Sequence, residues 1–279
     1  LCQGLKSLPN KLERATWLNY VRCHDDIGFG FDDSDIEQVG YDPRAHRRFL
    51  IEYFKGDFDA IPRGLIFMPN DTTGDARICG SLASLVGLES ALESKDQQLI
   101  ATAISRILLM HGVILSFGGI PLIYNGDALG VLNDYSFYAD PSKCNDTRWV
   151  HRPKIDWTRA ELRWKQGTVE HAIFSAMKKM IAIRKEISAF ADFNNRQILP
   201  LENDHLLAFV RTNHLRPSEL VLVVANFNDQ PRFFDLESLV PPVFSSHDGL
   251  VDLHSGRRPS QSGSRIVLQA YQFYWLTKT

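Results

Sequence analysis

This 279-residue sequence has no CxxC pair, no excess charge of either sign, no internal repeat and no low-complexity tract. Its four cysteines, Cys2, Cys23, Cys79 and Cys144, lie far apart, and only Cys23 has a histidine beside it. Neither a metal-ligand pattern nor a disulfide scaffold is indicated, and reduced, packed thiols are expected. Lys and Arg number 31 against 33 Asp and Glu, a net charge of −2, with the basic residues scattered. That argues against nucleic acid and against an anionic membrane surface as partners. The longest apolar stretch is broken by His111 and Gly112 before it reaches the ~18 residues of a bilayer span, so no transmembrane segment is expected. The opening residues, LCQGLKSLPNKLERATW, have no initiator Met, no basic start before an apolar block and no small-residue cleavage site. The sequence therefore reads as a cut into a longer protein, and its location is read as cytoplasmic, from the reduced thiols, or unknown.

What is present is the composition of a soluble globular protein, 44% hydrophobic and 23% charged, with length for about two domains. Trp17, Tyr20 and Val21 make a strand-like run from Thr16 to Cys23. Residues 27–89 are irregular and punctuated by Pro43, Pro62 and Pro69, with one helix-like patch, AHRRFLIEYF. A connection of that length is expected to carry a small fold of its own. Leu99, Ile100, Ala103, Ile104, Ile107 and Leu108 recur at helical spacing between Asp96 and Leu115, and IPLIYNGD then reads as a buried strand. Strand, crossover with a helix, strand is one βαβ unit of a parallel sheet. A second helix is expected from Val169 to Ile187, with Lys178, Lys179 and Arg184 facing water. Beyond Phe190, the runs HLLAFVRT, ELVLVVANF, PRFFDL, SRIVLQ and YQFYWLT predict an antiparallel all-β module.

Two expected strand ends are acidic, His24-Asp25-Asp26 and Asp127. Carboxylates placed there can accept hydrogen bonds from paired sugar hydroxyls while an imidazole N–H donates another, contacts that tighten as a pyranose ring flattens toward an oxocarbenium-like state. By itself the triplet could equally cap a loop. Chelation of one metal ion is disfavoured, because neighbours on a strand point to opposite faces.

Four stretches, taken in order, change the balance: WLNYVRCHDDIGFGFDD, TTGDARICGSLASLVGL, GGIPLIYNGDALGVLND and NDTRWVHRP. Together they resemble the carboxyl-terminal half of the amylosucrases and sucrose hydrolases of glycoside hydrolase family 13, the α-amylase superfamily. The resemblance implies an α/β fold: the C-terminal part of a TIM (β/α)8 barrel with an inserted small domain, followed by an all-β antiparallel sandwich. Its segments would be 1–26 (a barrel helix and the seventh strand), 27–90 (the insertion), 91–189 (the last helices and eighth strand) and 190–279 (the sandwich). It further implies that His24 and Asp25 hold the glucosyl unit, with Asp25 as the transition-state stabiliser. Asp26 and Arg77 would line the fructosyl side of a sucrose pocket, Arg148 would contact glucosyl hydroxyls, and Arg47 would lie near an acceptor groove. The implied partners are sucrose and an α-glucan, with no cofactor and no metal.

Cys23 stands where the family usually has Ser, and Ala128 replaces the acid that commonly follows Asp127. A retaining mechanism needs two carboxylates about 5 Å apart, and the patterns of the family's nucleophile and acid/base are not found here. The missing N-terminal half of the barrel would supply them, so the isolated chain is expected to be inactive. The readings that follow for the parent protein are glucosyl transfer from sucrose to a glucan, sucrose hydrolysis, or a non-catalytic binding or structural domain.

Overall fold

The computed structural model describes residues 1–279 except 60, 192, 193, 214, 217, 218, 240–242, 245 and 279. Thr279, the end of the expected sandwich segment, thus lies outside the described residues. The chain divides into two compact units, Tyr20–Ile107 with Ile123–Ser175, and Leu1–Asn19 with Leu108–Leu122 and Ala176–Thr279. This division follows packing rather than chain order and cuts across the expected segments 1–26 and 91–189.

In the unit that carries the C-terminus, Leu18–Asn19 pairs in parallel with Ile120–Pro121, the intervening chain containing the Gln97–Phe117 helix. This arrangement is consistent with part of a TIM barrel. Both strands are shorter than the expected runs 16–23 and 120–127. Among the described residues the pair has no third strand, and Pro121 has no N–H to offer a ladder, so longer extension lacks hydrogen-bond partners. Trp17, Leu18, Ile120 and Leu122 remain exposed. Five of the expected β runs form strands. The main sheet has the order Arg196–Leu199, Leu206–Thr212, Leu220–Asn226, Phe273–Lys278, Leu250–Asp252, all antiparallel. A smaller antiparallel sheet contains Gln261–Ser262, Arg265–Leu268 and Arg232–Asp235. Leu222, Val224, Leu276, Phe234, Ile266 and Leu268, from both sheets, share one buried core. Trp275 is wholly buried against Phe190 and Phe273, and an added Cβ at Gly112 would come within 2.7 Å of the Phe273 ring. Only a residue without a side chain allows that approach.

Three expectations for the helices need correction. Leu99 was placed on the apolar stripe but is exposed. Arg184 does not face water: it is half-buried and donates to the carbonyls of Leu115, Gly119 (2.7 Å) and Phe190 (3.0 Å), because its long stem reaches the carbonyls left over at a helix end. The Gln97–Phe117 helix does have the length and mean hydropathy, 1.8, of a membrane span, since His111 and Gly112 interrupt the apolar run without lowering the average enough. Such a helix also occurs as a core helix, and here His111 and Ser116 are buried within the protein.

The other unit contains the insertion. Its Pro43–Lys55 helix starts at Asp42, whose carboxylate accepts the Ala45 N–H, and ends at left-handed Gly56. The helix packs Ile51 and Phe54 against Ile78, Leu85 and Ile27. Beside it, Leu65–Asn70 and Asp75–Cys79 form an antiparallel hairpin that sets Phe67 opposite Arg77. Asp127 is not at a strand end as expected. It opens a short 3-10 turn, Asp127–Leu129, and is buried.

Candidate functional site

The triplet lies in bends that begin after Asn19, and one backbone bridge holds it. Ile27 and Ile78 exchange hydrogen bonds, Ile27 N–H to Ile78 O at 2.7 Å and Ile78 N–H to Ile27 O at 3.0 Å. This pins residues 23–26 beside the hairpin strand that carries Arg77. Arg77 Nη1 then reaches Asp26 Oδ2 at 3.1 Å, and the Asp26 side chain is only 7% exposed while the arginine stays half-exposed. A carboxylate that far from water needs such a partner.

The second wall is the 3-10 turn Thr147–His151. Asp146 caps it, accepting the Arg148 N–H, and holds the Arg148 side chain as a fork, Nε at 2.9 Å and Nη2 at 2.8 Å. These bonds hold the Asp146 carboxyl below the usual carboxylate range and raise the guanidinium in turn. Thus fixed, and lying over the Phe67 ring at 4.7 Å, Arg148 brings Nη1 to 3.8 Å from Asp25 Oδ1.

Sequence reasoning missed two residues of this wall. Arg152 donates from Nε to the His24 carbonyl at 2.7 Å and places Nη2 3.4 Å from Asp25 Oδ1. His151 accepts the Gly80 N–H at Nδ1 (3.2 Å), which leaves its Nε2–H to donate to the same His24 carbonyl at 3.0 Å. Burial, with Arg22 nearby, pushes the His151 imidazole down to about 4, so it is neutral at pH 7 and keeps that tautomer. Arg22, itself buried, donates from Nε to the Gly80 carbonyl at 3.0 Å. Both backbone groups of Gly80 are therefore taken by side chains, and the His24 carbonyl receives two donors. The available signal was the motif TRWVHRP itself, but only Arg148 in it was assigned a role.

His24, Asp25, Asp26, Arg77 and Arg148 are thus brought together. The Asp25 carboxylate divides its oxygens: Oδ1 faces the two arginines, and Oδ2 lies 3.4 Å from His24 Nε2. The His24 and Asp25 side chains are 70% and 52% exposed, open to a ligand. Arg47 stands apart. From the Pro43–Lys55 helix its fork is taken by the carbonyls of Phe29 (3.0 Å) and Phe31 (2.9 Å) and by Asp33 (2.5 Å), so it ties down its own loop. The arrangement offers hydroxyl acceptors and cationic donors around one exposed carboxylate, a set suited to a polyhydroxylated ligand that gains positive charge.

No family model matches the chain. It is 25% identical over 282 aligned residues to the glucosylglycerate phosphorylase of Escherichia coli K12, an alignment covering 99% of this chain and 44% of that enzyme. It is also 25% identical over 161 residues to the trehalose synthase of Thermus thermophilus, covering 49% of this chain and 16% of the synthase. The chain thus spans less than half the length of either curated relative. Among solved structures it is similar to AmyP bound to maltotriose (TM-score 0.47, 13% identity, 62% of this chain and 34% of that one). Another is the trehalose-6-phosphate hydrolase of Bacillus licheniformis (TM-score 0.40, 20% identity, 62% and 39%). The sequence relationships support the α-amylase superfamily, glycoside hydrolase family 13, and not amylosucrase in particular.

Proposed function

We propose that the protein containing this chain moves a glucosyl unit from sucrose to an α-glucan acceptor, releasing fructose, and that residues 23–26 with Arg77 and Arg148 supply donor-side contacts. The observation that carries this reading is the exposed Asp25 carboxylate set between His24 and Arg148, with the Asp26–Arg77 pair beside it. As the glycosidic bond breaks, positive charge grows on the ring, and a fixed carboxylate is worth more to that state than to the neutral donor. Asp26 and Arg77, already paired, act on the ground state as well and orient the leaving fructosyl unit. The nucleophile and acid/base are assigned to no residue of this chain.

A second reading, phosphorolysis of a glucoside, is favoured by the similarity of 99% of this chain to a glucosylglycerate phosphorylase. The two separate by products. The full-length protein is incubated with sucrose or with glucosylglycerate, with and without phosphate and glucan, and fructose, glucose, glucosyl phosphate and glucan length are quantified. Phosphate-independent fructose release with glucan growth is expected. Phosphate-dependent formation of a glucosyl phosphate favours the second reading, free glucose alone means hydrolysis, and sucrose left intact overturns the proposal.

A further inference from the structure

Cys23, next to the proposed sugar contacts, has no part in them, yet its thiol faces the same space. The expectation that these neighbours cannot share an ion assumed a strand, on which Cys23 and His24 would point apart. The strand ends at Asn19, and in the bends that follow one ligand atom each of Cys23, His24 and Asp25 lies within 4.8 Å of the others. We propose that Cys23 Sγ, the His24 ring and Asp25 Oδ2 form a binding site for a divalent cation of the zinc class.

The distances fit that class. Tetrahedral zinc with bonds of about 2.05 Å to nitrogen and oxygen sets those two ligands about 3.3 Å apart, and a sulfur bond of about 2.3 Å sets S and N about 3.6 Å apart. His24 Nε2 and Asp25 Oδ2 are already 3.4 Å apart. The sulfur has at most about 1.2 Å to close, within the reach of one χ1 rotation of cysteine. A thiolate, an imidazole and a carboxylate select zinc or cobalt over magnesium or calcium, whose preferred ligands are oxygens. His24 and Asp25 are exposed and Cys23 is half-buried, so three protein ligands leave the fourth position for water.

The local charge permits a dication. Arg148 and Arg152 both approach Oδ1, leaving Oδ2 toward His24. The three guanidinium groups that converge here, on Arg77, Arg148 and Arg152, are matched by Asp25, Asp26 and Asp146. On binding, the S–H bond breaks, its proton passes to solvent, and the sulfur lone pair forms the metal bond. Because the ion would occupy His24 and Asp25, it would compete with the donor sugar, a consequence that rests on the function proposed above. The metal site itself does not.

The test needs no substrate. Zinc is titrated into the purified protein by calorimetry, and cobalt by absorption, where a thiolate ligand gives a charge-transfer band in the near ultraviolet. One saturable site with that band is expected. Cys23→Ser should remove the band, and Cys23→Ser and His24→Ala should each weaken zinc by at least about tenfold, about 1.4 kcal/mol. Cys2, Cys79 and Cys144 remain in both variants as internal controls. No saturable binding to the parent protein, or affinity and band unchanged in Cys23→Ser, overturns the proposal.

Discussion

Around His24 the tertiary contacts are polar, with backbone carbonyls and N–H groups held by Arg22, His151 and Arg152 and carboxylates held by Arg77 and Arg148. Around Trp275 they are ring against ring, the wholly buried indole lying against Phe190, Phe273 and His254. The contrast separates precision from cohesion. Apolar contact is non-directional and tolerates small shifts, whereas a fork of hydrogen bonds fixes one orientation and contributes only modest net stability.

The strongest challenge to this contrast is Trp275→Ala. It should destabilise the protein by about 3–5 kcal/mol, as for other large buried aromatics, and leave turnover per folded molecule close to normal. Chemical unfolding alongside active-site titration checks both halves, and a large loss of turnover in the folded fraction would show that the two regions are not independent.

Asp25→Asn in the full-length protein should do the reverse. Turnover should fall by roughly 10²-fold or more with little change in melting temperature or apparent KM, because the charge matters most as the ring becomes cationic. Near-normal turnover in steady-state kinetics would reduce the triplet to a loop cap.

A smaller effect concerns acid. The folded His151 pKa of about 4 lies below the ordinary imidazole value near 6.5, so between these values the unfolded chain binds more protons. The stability from neutral His151 is complete above about pH 6.5 and is lost as pH falls toward 4, roughly 2 kcal/mol of it by pH 5. His151→Gln cannot titrate. Unfolding curves at pH 7 and pH 5 should show a shallower pH dependence for the variant, and equal slopes would mean that burial does not hold the imidazole neutral.

The smallest expected effect is the coupling between Asp26 and Arg77. Each single alanine variant should raise KM for the donor, and the double variant should be less than additive by about 0.5–1 kcal/mol, as Arg77 is half in solvent. Strict additivity would mean that the pair does not act as a unit.

Much of this was legible in the sequence, for physical reasons. The five β runs after Phe190 have local patterning and close partners, and they form strands. His24, Asp25, Asp26, Arg77 and Arg148 were singled out because four ordered motifs resemble glycoside hydrolase family 13, and the structure brings these five side chains together. His151 and Arg152 were passed over because their nearest partners are the His24 carbonyl and the Gly80 N–H, main-chain groups that every residue but proline has and no sequence marks. The same limit explains the short strand at Leu18–Asn19. Strand length depends on a pairing neighbour, which aromatic and β-branched composition alone does not supply.

The separations along the chain have a bearing on synthesis. In the main sheet Leu206 pairs with Asn226 and Thr212 with Leu220, so that hairpin closes almost as soon as it is made. The Asp26–Arg77 contact spans 51 residues, Gly80–His151 spans 71, and His24–Arg152 spans 128. At about 5–20 residues per second, Arg152 follows His24 out of the ribosome by roughly 6–26 s. Throughout that interval the loop bearing His24 and Asp25 lacks the clamp that orients it, and a nascent chain must keep those groups in solvent until the TRWVHRP segment arrives.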